Sequence, residues 1–431
     1  MERRHFLQSL ALPVMGLPVL GALKFNALND VLDQIASYRG TTEALVTNEE
    51  LWFRVQQAFT VDRSLINLNN GGVSPSPGIV QEAMKRHLDF SNTAPVYTMW
   101  QILEPQRETV RASIARMQGV DPEEIALTRN ASESLQILQQ GFDLKAGDEV
   151  LTTTQDYPRM ITTFKQMERR QGIVLKQFDI PAPAERDEEI VRLFEANITP
   201  KTRMILVSHM VFMNGNILPV KEVAALGRKR GIPVLVDGAH AFSHAPQRIA
   251  DLEVDYYASS LHKWLLAPHG TGLLYVKKDR IAGLWPMMAA PTTMDTDIRK
   301  FEEIGTHPAA NYLAIAEAIT FTEGIGQDVK TARLTWLRDR WAKELIAYDR
   351  ITMRTSLKPG RAAGLATVSV DGIEPSAIVN HLWRKHRIIV VPINESFSSG
   401  IRVAPNLYTT PGEIDRFTEA MVHIVKHGVD S

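Results

Sequence analysis

Asp237 and Lys263 are the residues whose types and settings point most directly to covalent chemistry in this chain of 431 residues. Asp237 ends the apolar run PVLVD, which reads as a buried strand delivering a carboxylate at its C-terminal end. In open α/β sheets that edge is where ligands bind. Lys263 follows in SSLHKWLLAPHGTG, between His262 and Trp264, with Leu265 and Leu266 just beyond. Apolar surroundings disfavour an ammonium and lower the pKa of the amine, which an imine-forming lysine needs. Each residue alone has an ordinary reading: an aspartate capping a turn, or a lysine laying its stem along apolar surface. A third feature makes them a set. Residues 126–140, ALTRNASESLQILQQ, read as a strand end, then Asn130, Ala131 and Ser132, then a helix start. Backbone N–H groups and the positive end of a helix dipole at that point suit an anion such as a phosphate.

An amine, a carboxylate and a phosphate cradle are the groups that pyridoxal 5'-phosphate (PLP) requires. The lysine forms a Schiff base, and the carboxylate keeps the pyridine nitrogen protonated so that the ring acts as an electron sink.

These features need a common scaffold, and the pattern around them predicts one. Between residues 123 and 277 short apolar runs alternate with helical patterns. Strands are predicted at 149–152, 203–208, 233–237, 256–259 and 272–276, with helices at 132–141, 160–171, 188–196 and 220–231. Such alternation predicts a mostly parallel sheet with helices on both faces. Beyond residue 310 the texture changes. Helices at 311–322 and 331–348, strands at 366–370 and 388–391, and a closing helix at 411–427 predict a smaller α+β domain. The expected division is 24–75 as a segment packing with the small domain, 76–310 as the large domain and 311–431 as the small one. A domain of about 150 residues is the usual size.

Lys+Arg (48) balances Asp+Glu (49), so no global basic field exists to hold a nucleic acid. The chain has no cysteine, which removes disulfides, thiolate metal sites and thiol nucleophiles together. His240, His244, His262 and His269 lie close in sequence, but no His-x-x-x-His pair with a third acidic ligand stands out, and no metal is expected. Residues 1–23, MERRHFLQSLALPVMGLPVLGAL, place Arg3 and Arg4 before an apolar run too short and too interrupted to span a bilayer. They read as an export signal. Their RRHFL core resembles the twin-arginine signal, so a periplasmic or otherwise exported location is expected, with no stable membrane span apart from the signal.

The motifs TRNASES, DGAHA, SLHKW, FEEIGT and SGIRVAPNLYTTPGEI occur in that order between residues 65 and 425. Together they resemble the class V aminotransferase family of PLP enzymes, and the stretch from VDGAHA to LHKWLLAPHGTGLLYV is most similar to its isopenicillin N epimerase-like branch. The resemblance implies an α/β chain of PLP fold type I, with a large, mostly parallel seven-stranded-type sheet flanked by helices and a smaller α+β C-terminal domain. It implies Lys263 as the Schiff-base lysine, Asp237 at the pyridine nitrogen and His240 at the ring's phenolic oxygen. Ala131, Ser132, Ser260 and His262 would hold the phosphate. Tyr157 would stack over the cofactor, with Asp156 as the alternative at that point. Thr306 would reach a neighbour's phosphate, which implies a homodimer with composite sites. Arg402 would clamp a substrate α-carboxylate, and Asn70, in the loop of Asn69, Asn70, Gly71 and Gly72, would touch the substrate. Phe212 falls where many relatives carry asparagine, a departure near the phenolic oxygen. The absence of cysteine excludes the cysteine desulfurase branch. The chemistry implied is imine exchange of an amino acid or related amine onto Lys263, then movement of the Cα proton by the released lysine. Epimerisation, racemisation or transamination would follow, with β-elimination or non-catalytic PLP binding as alternatives.

Overall fold

The computed structural model describes residues 41–395 and 397–429, together with Asp33 and Ile35. Residues 1–23, read as an export signal, lie outside the described residues.

Strand β1 (Ile66–Asn67) stands apart from the main sheet. Seven strands build that sheet: β2 (Ile125–Thr128), β3 (Glu149–Thr153), β4 (Val174–Phe178), β5 (Thr202–Ser208), β6 (Val234–Asp237), β7 (Tyr256–Ser260) and β8 (Gly272–Val276). Their order is β2-β8-β7-β6-β5-β3-β4. Strands β3 to β7 pair in parallel, and β8 runs against both of its neighbours. The central strands read as unbroken apolar runs because both faces are covered. Ile205, Val207 and Val236 face a core that includes Val223 and Phe242, whereas Met204, Leu206 and Leu235 face one that includes Leu138 and Phe164. The C-terminal ends of β5, β6 and β7 therefore meet at one edge, carrying Ser208, Asp237 and Ser260.

The second unit holds β9 (Ile351–Met353), β10 (Ala366–Val370), β11 (Ile388–Ile389), β12 (Val391–Ile393) and β13 (Gly400–Val403). Four of them form an antiparallel sheet in the order β12-β13-β10-β9, while β11 pairs in parallel with β1. Helices Gln327–Leu345 and Pro411–His427 back this sheet, packing Leu337, Trp341, Phe417 and Met421 on Val368, Ile401 and Val403. The second helix starts on a reciprocal cap between Thr410 and Glu413 behind Pro411, the arrangement expected at an N-terminus. The bridge between Asn69 and Ala404 lays the Asn-Gly loop beside β13.

Three readings need correction. The helix expected at 311–322 is two helices, Ala309–Leu313 and Ile315–Ile325, and Leu313, Ile315 and Ile319 pack into the core of the large sheet. Residues 313–319 thus pack with the large unit, whereas Phe321 and Ile325 join Leu334, Leu365 and Tyr408 of the small one; periodicity shows that a helix has an apolar face but not which sheet it covers. The strand expected at 388–391 is split between two sheets, with Ile388 and Ile389 on β1 and Val391 on β13. Strand β4, at the sheet edge, is half exposed and interrupts its apolar residues with Lys176 and Gln177. Among the described residues no helix is long and apolar enough to cross a membrane.

Candidate active site

Asp237 sits at the end of the central strand β6, and its carboxylate accepts from the Ala239 amide at 2.9 Å. Burial pushes its pKa up to about 6, against the Ala239 N–H and the Lys263 charge, which pull it down. Gly238 is required next to it: a Cβ there would lie 2.0 Å from the Tyr257 ring. The Tyr257 hydroxyl in turn lies 3.3 Å from Nδ1 of His209, a buried ring whose pKa burial lowers to about 4.

Lys263 lies on the turn after β7, with Nζ 2.9 Å from Nε2 of His240. Burial lowers its pKa to about 8; the Asp237 charge opposes that shift and the Arg402 charge adds to it. Burial and the charges of Lys263 and Arg402 hold His240 far below the usual histidine range, so its ring is neutral. With Lys263 donating to Nε2, the proton sits on Nδ1, which is buried without a protein partner. Such an orphaned donor costs stability unless something else receives it. Behind it, His244 donates from Nδ1 to the His240 carbonyl at 2.9 Å and accepts the Gly364 amide at 2.9 Å. Its ring stacks on Trp264, with centroids 3.6 Å apart.

Arg402, on β13, enters the same cleft from the small sheet. Its guanidinium donates to the Phe212 carbonyl and to Oδ1 of Asn69, each at 2.9 Å, and its Nε is buried with no partner. No carboxylate pairs with it among the described residues, and burial lowers its pKa to about 10 against the influence of Tyr157. Tyr157, half buried, packs edge-on against Phe212 with ring centroids 5.5 Å apart. Its neighbour Asp156 is spent on structure: it accepts from Thr152, from Thr153 (amide and hydroxyl) and from Ser208 (amide and hydroxyl) at 2.6–2.9 Å, tying β3 to β5. Of the two, Tyr157 is the side chain left for a ligand.

The segment expected to hold an anion lies where helix Ala131–Gly141 starts. Asn130 caps the Glu133 amide at 2.9 Å, and Ser260 accepts the Ala131 amide at 2.9 Å, with Ser132 between them. Gly272 lets β8 pass this turn, because a Cβ would lie 2.6 Å from Asn130 Cα. His262, held neutral near a pKa of about 4 chiefly by burial, faces the Thr271 carbonyl at 3.2 Å.

One residue expected to touch the substrate is engaged within its own loop. Asn70 is fully buried and gives its amide to the Asn67 and Ala404 carbonyls while accepting from Tyr408. It braces the loop, and its neighbour Asn69 is the residue that touches Arg402. Thr306 is exposed on a separate groove with Trp100, Arg107, Glu302 and His307, with no hydrogen bond to the Lys263 cluster. The sequence does not single out Asn69, although the Asn-Asn pair itself is the signal.

A family model for class V aminotransferases matches residues 66–417. Isopenicillin N epimerase of Streptomyces clavuligerus is 29% identical over 395 residues, covering 86% of this chain and 97% of that protein. A probable cysteine desulfurase of Synechocystis sp. is 25% identical over 388 residues, covering 83% and 90%. Among solved structures, a C-DES mutant with glycine covalently linked to its PLP cofactor matches with a TM-score of 0.76 at 23% identity, covering 84% of this chain and 98% of that one. The large mixed sheet with its flanking helices and the small antiparallel unit are thus PLP fold type I. Across those 352 positions, from the first residue of β1 to the closing helix, the chain belongs to the class V aminotransferase family.

Proposed function

We propose that this chain is a PLP enzyme that acts on an α-amino acid by moving its Cα proton, in epimerase/racemase-type or aminotransferase-type chemistry. One observation carries the reading: Lys263 Nζ contacts a buried neutral His240 between a buried carboxylate, Asp237, and a buried guanidinium, Arg402, that has no carboxylate of its own. The residues fit the cofactor. Asp237 has one hydrogen bond, from an amide, and can hold the proton on a pyridine nitrogen. The orphaned Nδ1–H of His240 suits a phenolic oxygen, and Ala131, Ser132, Ser260 and His262 form the phosphate cradle. When bound, PLP supplies an aldehyde for imine exchange and a ring that takes up the electron pair left at Cα.

Lys263, kept partly unprotonated near neutral pH by burial, takes and returns the Cα proton as base and acid. Arg402 binds the α-carboxylate through its planar fork. Tyr157 and Phe212 wall the cleft beside it and exclude water. Thr306, on its exposed groove, completes the phosphate site of a second copy in a homodimer. Residues 1–23 direct export, which replacing Arg3 and Arg4 with lysine would block.

The test is incubation of the PLP-loaded protein with L- and D-amino acids in heavy water. Deuterium at Cα with loss of optical purity supports epimerisation, and oxo-acid formation supports transamination. Pyruvate release supports β-elimination, a second reading favoured by the partial similarity to a putative L-cysteine desulfhydrase of Oryza sativa, 28% identical over 234 residues. With no cysteine in the chain, any sulfur would leave as a small molecule rather than on the protein. Bound PLP with no Cα exchange for any amino acid would overturn the reading in favour of a binding protein.

A further inference from the structure

Lys330, on helix Gln327–Leu345 of the small unit, is fully buried, yet none of its contacts is a carboxylate. Its Nζ donates to the Ser243 hydroxyl at 3.1 Å and to the Trp264 carbonyl. Both acceptors lie on segments whose backbone is strained. Ser243 itself has φ 57°, and Leu266, two residues after Trp264, has φ 65°. Side-chain-bearing residues keep such conformations only where their surroundings over-determine them. These segments carry the two partners of the central contact: His240 lies three residues before Ser243, and Lys263 directly precedes Trp264.

The same helix face grips the His240 segment three times more, once through Gln327, which accepts from the Ser243 hydroxyl at 3.3 Å. Gln327 donates to the Ala245 carbonyl at 3.2 Å and Thr331 to the His244 carbonyl at 3.0 Å. Gln327, Lys330 and Thr331 share that face by their spacing. Of the three, Lys330 alone also reaches the Lys263 segment. Burial lowers its pKa to about 7, but the tie does not need charge, because a neutral amine still has two N–H donors for its two acceptors.

We propose that Lys330 is a positioning residue that sets the approach of Lys263 to His240 by tying their two strained segments together through one amine. The inference rests on Lys263 being the residue that binds PLP, and the test separates the two.

PLP-loaded wild type, Lys330→Met and Thr331→Val are compared for cofactor release on dialysis, for the midpoint of the bound cofactor's absorbance against pH, for kcat and KM, and for Tm. Lys330→Met should release PLP about tenfold faster and lose about tenfold in kcat with KM nearly unchanged, the scale of one strong hydrogen bond. Its absorbance midpoint should also move. Thr331→Val, which loosens only the His240 segment, should lower Tm and leave release, kcat and the midpoint as in wild type. A Lys330→Met protein that loses Tm alone would overturn the proposal. If that variant does not fold, Ser243→Ala unties one end of the link; faster PLP release supports the proposal and unchanged release overturns it. Borohydride reduction of the wild type followed by peptide mapping tests the underlying reading: a label on Lys263 upholds it whatever the variants do, and a label on another lysine overturns both.

Discussion

Arg111 and Arg402 are both buried arginines, and the fold treats them in opposite ways. Arg111, on helix Arg107–Gln118, meets both oxygens of Glu302 at 2.6 and 3.0 Å, both oxygens of Glu108 at 3.1 Å, and the Ile125 carbonyl. Burial alone would lower its pKa, but the hydrogen bonds and charges of Glu302 and Glu108 outweigh that and raise it. Glu302 also accepts the Leu127 amide at 2.6 Å, so this network pins β2 in place. Arg402 has two neutral oxygens, an idle Nε and a lowered pKa. A buried charge that the chain itself neutralises is structure; one left without a counter-charge and with an idle donor, in the cleft of Asp237 and Lys263, is what a ligand carboxylate would complete.

The contrast breaks most completely if Lys263, the other cation left unpaired in the cleft, is dispensable. Lys263→Ala should leave no borohydride-reducible PLP on the protein, and an undiminished adduct would remove the cleft from consideration. Arg111→Ala should destabilise by about 1.5–3 kcal/mol, because Glu302 and the buried Ile125 carbonyl lose charged hydrogen bonds while Arg107 and Arg299 still pair with Glu302 and Glu108. Denaturant unfolding would show this as a lower midpoint, with KM for any substrate unchanged. Arg402→Ala should do the reverse. Loss of a clamp on a buried carboxylate costs about 2–5 kcal/mol in binding, so KM for an α-amino acid should rise at least about 30-fold while the unfolding midpoint barely moves. Equal losses for amines with and without a carboxylate would end the clamp assignment.

The smallest effect is one of pH. In the protein without cofactor, Lys263 titrates near 8 rather than at its ordinary 10.5. Between those values the folded chain binds fewer protons at this site than the unfolded chain, so stability rises with pH across the window. Thermal unfolding of the apo-protein should therefore improve from about pH 8 towards pH 10 relative to Lys263→Met. A constant difference between the two proteins would show that Lys263 is not buried as a cation.

Much of the scaffold was legible because its signals are local. The runs at 272–276, 366–370 and 411–427 have the observed boundaries, since turn residues or a proline with a capping threonine delimit each. Helix Arg107–Gln118 and strand β4 were not singled out: the first is mostly polar outside Val110 and Ile114, and the second is half exposed. Within the site, Asp237 and Lys263 stood out by type and setting. Asn70 is no easier to tell from Asn69 in the sequence, because two adjacent asparagines in a loop look alike until the Asn69–Ala404 bridge decides which side chain turns to Arg402.

Sequence by itself determined what is written in contiguous residues: strand–helix alternation, the strand end at Asp237, the apolar setting of Lys263 and the helix start at Ser132. Tertiary structure decided what depends on contacts between distant segments. It placed Arg402 beside Asn69 and Phe212, brought His240 to 2.9 Å from Lys263, spent Asp156 on tying two strands and packed Tyr157 on Phe212. It also left one buried arginine fully paired and another without a carboxylate. Composition cannot tell those two apart, because burial and pairing are properties of neighbours that the chain acquires only when its sheets pack.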